Sequence, residues 1–195
     1  MEQSSIEIFV KISKYLAYML RHHPESAGIT LDEEGFTDLA PLLKILNARY
    51  KDAKVGEITK NTIEEMIRQS DKRRYEILGN KIRALYGHSV AAKVVMQEAT
   101  EVPQLLYHGT TLKAYEAIKM EGIKKRTRQF AHLTDNVKIA LEISKRRTND
   151  PVVLSVDTKA ARNEGIKFYK SGDMYLTDYV PPQFLSVIIP KRSKA

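Results

Sequence analysis

The strongest local constraint lies between residues 73 and 86. Arg73-Arg74-Tyr75-Glu76-Ile77-Leu78 and Lys81-Ile82-Arg83-Ala84-Leu85-Tyr86 are two alternating runs separated by Gly79-Asn80. A two-residue link of this kind is a β-hairpin signal. The sequence before it is helical in pattern. Ile8, Phe9, Ile12, Leu16, Met19 and Leu20 recur at three- and four-residue steps, which predicts an amphipathic helix from Ile6 to Leu20. His22, His23 and Pro24 end it, because the residue before proline avoids the helical region. Further helices are expected through Leu39–Leu46 and Ile63–Gln69, the second capped near Thr59 or Asn61.

Three short helices followed by a hairpin is the winged-helix order. Beyond it the pattern weakens through Gly87–Val102, so we expect a first lobe over 1–90, a linker over 91–102 and a second lobe over 103–195. The second lobe has short strands at Leu105–Tyr107, Phe130–Leu133, Val152–Val156, Lys167–Tyr169, Tyr175–Thr177 and Phe184–Ile189. Helices are expected at Leu112–Met120, stopped by Gly122, and at Asn136–Lys145, entered through Asp135. Short strands with two helices suggest a compact α+β domain.

With 43% hydrophobic and 29% charged residues, the chain has a globular composition, not a disordered one. It shows no basic leader and no apolar run long enough for a membrane span. Zero cysteines remove disulfides, thiolate zinc sites and cysteine nucleophiles. Adjacent His22 and His23 point different ways from a helix and make a poor metal pair, so no metal is expected. The net charge of +8 points to an anionic partner. It is uneven: 15 bases face 14 acids in the first hundred residues, and 17 face 10 in the rest.

No phosphate loop, dinucleotide glycine fingerprint or nucleophile elbow is present, which leaves arginine and histidine to carry chemistry. Arg21-His22 closes the first helix, either as a solvated complement to the helix dipole or as part of a site. Arg68, Lys72, Arg73, Arg74, Lys81 and Arg83 crowd the hairpin against only Asp71 and Glu76. Such charge either protects an edge strand or grips phosphate through guanidinium forks. Leu106-Tyr107-His108-Gly109-Thr110 puts a histidine at a strand end before a residue without Cβ and a hydroxyl. It is a strand-ending turn or a place of close ligand approach. In a strand, Arg128, Phe130 and His132 would share one face, with a buried, satisfied His132 as the alternative.

Together these pieces resemble the RNA 2′-phosphotransferase family. The resemblance rests on Ser13-Lys14-Tyr15-Leu16-Ala17-Tyr18-Met19-Leu20-Arg21-His22, Glu34-Gly35-Phe36, Asp71-Lys72-Arg73-Arg74-Tyr75 and Ile82 through Ser89. It continues with Leu106 through Thr110, Arg128 to His132, and Leu176 to Pro182, seven segments in order. Two departures stand out. Ser171-Gly172-Asp173-Met174-Tyr175 is one residue shorter than the family's turn, and Phe130 stands where relatives often carry another histidine.

The resemblance implies an N-terminal winged-helix RNA lobe and a C-terminal ADP-ribosyltransferase-like lobe with short mixed or antiparallel strands that uses NAD+. The implied substrate is RNA with an internal 2′-phosphate, as left at a tRNA splice junction. That phosphate attacks C1″ of the nicotinamide ribose and expels nicotinamide. O2″ then attacks the phosphorus, releasing 2′-OH RNA and ADP-ribose 1″,2″-cyclic phosphate. Arg21, His22, Arg74 and Arg128 are carried over as catalytic. His108, Gly109, Thr110, His132 and Ser171 are placed on NAD+, with Arg147 on its pyrophosphate.

Those residue types suit the chemistry. Arginines stay charged at any working pH and can neutralise a phosphate monoester without metal. An imidazole suits proton transfer between O2″ and the departing 2′-oxygen. Met174 stands where protein-modifying relatives often place a glutamate, consistent with a nucleophile that is already ionised. The expected setting is intracellular, cytoplasmic or nuclear, with no membrane partner, and nothing demands more than a monomer. Two rivals remain: an ADP-ribosyltransferase for another acceptor, and a non-enzymatic winged-helix binder, which would leave Arg128 and His132 unexplained.

Overall fold

The computed structural model describes residues 2–51 and 56–188, with side chains from Ile6 onward. Ile189, the last residue of the expected final strand, lies outside them. The chain divides into two compact units, Met1–Val95 and Met96–Ala195.

In the first unit, α1 (Glu2–Arg21), α2 (Leu39–Tyr50) and α3 (Lys60–Arg68) bury Ile12, Leu16, Met19, Leu42, Leu46 and Ile63 in one core. Thr59 caps α3, accepting from Thr62 N while Thr62 Oγ1 accepts from Thr59 N. Two orphan donors of the first turn are thereby satisfied. Asn47 ties α2 to the approach of α3, donating to Ile58 O at 2.7 Å and accepting from Ile58 N at 2.8 Å. The helix α2 runs to Tyr50, past the expected end at Leu46, because its last turn is polar and escapes a hydrophobic pattern.

The hairpin forms across Gly79-Asn80, with β2 (Tyr75–Leu78) and β3 (Lys81–Ala84) in the register Leu78↔Lys81 to Tyr75↔Ala84. Gly79 supplies the left-handed conformation the turn needs, at φ +59°. A strand not expected from sequence, β1 (Phe36–Asp38), pairs with the other edge of β3. Three residues are too few to show alternation.

The second unit is α+β with small antiparallel sheets. The strands β4 (Leu105–Thr111) and β11 (Leu185–Ile188) flank β7 (Pro151–Asp157). In a second sheet β6 (Ala131–Leu133) and β8 (Tyr169–Ser171) flank β9 (Met174–Thr177). A two-stranded ribbon joins β5 (Ile123–Lys124) to β10 (Tyr179–Val180). Its helices are α4 (Leu112–Glu121), α5 (Val137–Lys145) and α6 (Thr158–Asn163). Gly122 ends α4 at φ +78° as expected.

Several expectations are corrected here. His108, Gly109 and Thr110 do not end a strand but lie inside β4, which pairs with β7 from Leu105↔Asp157 to Thr111↔Pro151. Arg128 and Phe130 are not in a strand with His132, because residues 127–130 form bends before β6 begins at Ala131. The face-sharing argument for them therefore lapses. Asn136, not Asp135, caps α5, accepting from Lys138 N and Ile139 N. The strand expected at Lys167–Tyr169 starts at Tyr169, where pairing with β9 begins, and Phe168 goes into the core. Phe184 belongs to a 3-10 turn, not to the final strand. The helix α6, whose six residues are too short for a periodic signal, is capped by Asp157 accepting from Ala160 N.

Candidate active site

In the first unit the candidate residues gather at the end of α1. The chain leaves the helix after Arg21, with His22 N and His23 N both donating to Tyr18 O at 3.1 and 2.9 Å. The two histidines then diverge. His23 Nδ1 lies 2.9 Å from Glu25 Oε1, whereas His22 Nδ1 lies 2.8 Å from Ser89 Oγ. The Arg21 guanidinium faces the rings of Tyr86 and Tyr75 at 5.1 and 5.8 Å. Cations are attracted to aromatic faces at such distances. Gly87 lies against it: a Cβ there would only touch Arg21 Cδ and Nη1 at 3.4 Å, and it is the φ of +92° that calls for glycine.

Arg74 stands at the base of the hairpin, half-buried, its Nη1 donating to Ser70 Oγ at 2.8 Å. Its neighbours are neutralised more directly. Arg83 meets Glu76 through Nε at 2.8 Å and Nη2 at 2.6 Å, Arg73 approaches the same carboxylate, Lys81 pairs with Asp32, and Arg68 with Glu65. Among the described residues no carboxylate pairs with Arg74. Tyr75 connects it to Arg21. Burial pushes the Tyr75 phenol above its ordinary value, against a hydrogen bond to Ser13 and the nearby charges of Arg21 and Arg74. The Arg21 guanidinium thus faces the ring of Tyr75, the residue after Arg74, while the Tyr75 hydroxyl donates to Ser13 O partway along α1.

His88 had no assigned role. It is 2% exposed, and among the described residues Nε2 has no hydrogen-bond partner. Burial, with the positive charge of Arg21 and weaker effects of His22 and Arg83, lowers its imidazole to about 4. A base harder to protonate folded than unfolded leaves stability intact above its ordinary value near 6.5 and erodes it as pH falls toward 4. The full loss is about 3 kcal/mol at about 1.4 kcal/mol per unit. Denaturant unfolding between pH 7 and 4.5 should show His88→Leu losing about one proton's worth of slope relative to wild type. An unchanged slope would mean that His88 protonates freely in the folded protein.

In the second unit an isolated bridge joins the two larger sheets. Tyr107 N donates to Thr134 O at 2.7 Å, and Thr134 N donates back to Tyr107 O at 3.0 Å. It brings His108 Nδ1 within 3.0 Å of His132 O. A carbonyl can only accept, so Nδ1 carries the hydrogen and Nε2 offers a lone pair. Burial holds His108 below its ordinary value, with the Arg147 guanidinium adding to the effect and the His132 carbonyl opposing it. The imidazole is therefore neutral at physiological pH. Arg147 is exposed just past α5, its N–H donating to Ser144 O at 2.9 Å.

The register aligns Tyr169, Leu176 and His132 across the second sheet, and Ser171 follows two residues after Tyr169. Alternation then puts His132 and Ser171 on one face. Ser171 is 7% exposed and ends β8 before the tight Gly172-Asp173 turn, where Gly172 has φ +59°. Buried Phe130 stacks at a tilt on Tyr169, with ring centres 5.4 Å apart, while Arg128 is exposed in the bends that precede it. At Gly109 the side-chain direction is closed by α5, whose Ala140 carbonyl oxygen would be 1.9 Å from a Cβ. Thr110 is buried, its carbonyl accepting from Ser144 Oγ.

Among the described residues no three histidine or acidic side chains are grouped to hold a metal ion, and no helix is long and apolar enough to cross a membrane. Ser89 and His88 lie in the stretch from Ile82 to Ser89, where no spacing assigns them a role. The signal available was a Gly-His-Ser run directly after the hairpin, too short to reveal which helix it touches.

The model of the RNA 2'-phosphotransferase, Tpt1 / KptA family, matches residues 8–179. A probable RNA 2'-phosphotransferase of Acetivibrio thermocellus is 42% identical over 178 residues, covering 91% of this chain and 96% of that protein. One from Pyrococcus furiosus is 38% identical over 180 residues, 92% of this chain and 95% of its own. One from Bacillus thuringiensis is 35% identical over 184 residues, 93% and 96% of the two chains. A match of this extent makes the protein an enzyme of the phosphotransferase class. The chain belongs to the RNA 2'-phosphotransferase family.

Proposed function

We propose that the enzyme removes an internal 2′-phosphate from RNA by transferring it to NAD+, with a spliced tRNA as the natural kind of substrate. The observation that carries this reading is in the first unit. Arg21, one residue before His22, lies with its guanidinium 5.8 Å from the ring of Tyr75, and Arg74, the residue before Tyr75, is paired with no carboxylate among the described residues. Cations held this way suit a phosphate dianion, and preorganised donors are most effective where phosphoryl charge builds. The helices and hairpin of the first unit support a winged-helix RNA lobe. The sheets of the second support an ADP-ribosyltransferase-like lobe.

The second unit's residues fit a dinucleotide by their chemistry. Neutral His108, with its Nε2 lone pair, can accept from a ribose hydroxyl, and nearby Arg147 can meet a pyrophosphate. His132 and Ser171 add polar groups on one sheet face, and Thr110 a hydroxyl on β4. NAD+ supplies an electrophilic C1″ for the phosphate oxygen and then O2″ for the phosphorus. Arg21, Arg74 and Arg128 hold the phosphate charge. His22 takes the O2″ proton and gives it to the 2′-oxygen as the P–O2′ bond breaks.

The test is incubation with NAD+ and a synthetic RNA carrying one internal 2′-phosphate. Equal amounts of 2′-OH RNA, nicotinamide and ADP-ribose 1″,2″-cyclic phosphate are expected. RNA that keeps its phosphate while another nucleic-acid end or a protein acquires ADP-ribose would replace this reading with an ADP-ribosyltransferase of different acceptor.

A further inference from the structure

Gly87, His88 and Ser89 follow the hairpin, and each is fixed by a different contact. Gly87, at φ +92°, lies against the Arg21 side chain. His88 turns inward, its Nε2 3.4 Å from the place of a Gly35 Cβ, and Val94 packs at the same glycine. Ser89 turns outward, its N–H donating to Arg21 O at 2.8 Å while its Oγ lies 2.8 Å from His22 Nδ1. One serine thus grips two successive residues at the end of α1.

We infer that Ser89 is a positioning residue for His22, holding the ring in the tautomer whose Nε2 exchanges protons with the substrate. The inference rests on the proton-transfer role proposed for His22. A neutral imidazole that accepts at Nε2 carries its hydrogen on Nδ1, and a serine oxygen can receive that hydrogen. After His22 takes the O2″ proton, both ring nitrogens carry hydrogen and the Nδ1–H···Oγ bond is unchanged. The ring can then return the proton to the RNA 2′-oxygen without turning, the usual service of a group behind a working histidine. A hydroxyl also suits this place better than a carboxylate. An acid here, on the residue that grips Arg21 and His22, would compete with the substrate phosphate for the Arg21 charge.

The test compares wild type with Ser89→Ala and Ser89→Thr. In the ligand-free enzyme, imidazole 15N shifts should report His22 protonated on Nδ1, moving toward the Nε2–H form in Ser89→Ala and back in Ser89→Thr. In turnover, Ser89→Ala should slow breakage of the P–O2′ bond about tenfold, on the order of one lost orienting hydrogen bond. RNA bearing ADP-ribose on its 2′-phosphate should build up, as is also expected of His22→Ala, with KM for RNA unchanged. An Ser89→Ala enzyme with the wild-type tautomer and no slowed second step would overturn the inference. A tautomer shift in a protein whose wild type leaves 2′-phosphorylated RNA untouched would support Ser89's hold on His22 while removing the proposed function.

Discussion

Arg74→Ala should lower kcat/KM for a 2′-phosphorylated RNA by about 10²–10³-fold, the usual cost of losing one preorganised donor at a charged transition state. Folding should survive. The Arg74 side chain contributes hydrogen bonds to Ser70 Oγ and, at 3.5 Å, to Lys72 O, and anchors no core residue. Its main-chain carbonyl, which accepts from Leu85 N at 2.9 Å, is untouched by the substitution. A loss of about 1 kcal/mol, the worth of the hydrogen bond to Ser70, is therefore expected, too little to unfold the protein. Arg74→Lys should restore only part of the rate, because a single ammonium cannot replace a bidentate fork. The control is Arg73→Ala, which removes a side chain already near Glu76 at 3.5 Å and should matter far less. If Arg73→Ala proved the more damaging, the phosphate-binding role would pass to Arg73.

The comparison of Arg73 and Arg74 shows how far the sequence reaches. The crowd of bases from Arg68 to Arg83 is legible, but what neutralises each one is not. Glu76 serves both Arg73 and Arg83, and the partner of Lys81 is Asp32, 49 positions away. Only folding reveals that Arg74 lacks such a carboxylate among the described residues. Local signals, by contrast, were readable: the Gly79 turn, the Thr59 cap and the Gly122 stop each fix backbone geometry within a few residues. In the second unit, tertiary pairing overrode local signals. A glycine inside a run of β-formers reads as a strand end. Yet β7 carries β4 through Gly109 to Thr111. His108 and His132 were both candidates, but the bond between them depends on the Tyr107–Thr134 bridge, which no spacing announces.

Gly109 also carries the largest expected effect on folding. A residue without Cβ suits either a strand-ending turn or close approach of a ligand, and here α5 occupies the side-chain direction. A Cβ would lie 1.9 Å from the Ala140 oxygen, 2.8 Å from its carbon and 3.3 Å from Ser144 N, all backbone atoms that no rotamer change can move. In Gly109→Ala the helix must retreat from β4, straining the hydrogen bond from buried Ser144 Oγ to Thr110 O. Overpacking costs about 1–3 kcal/mol where side chains can yield, and backbone against backbone belongs at or above the top of that range. At about 4–8 °C per kcal/mol for a domain near this size, a fall in Tm of more than about 10 °C is expected for the second unit. Ser144→Ala should cost only about 1 kcal/mol, the worth of one hydrogen bond, because it leaves the packing in place. The two roles for Gly109 separate cleanly in such an experiment. If NAD+ is the co-substrate, as proposed, a Gly109→Ala protein that melts like wild type but binds NAD+ weakly would mean that the glycine serves the ligand. A protein that unfolds early, and whose NAD+ binding recovers when measured well below its new Tm, would mean that it serves the helix.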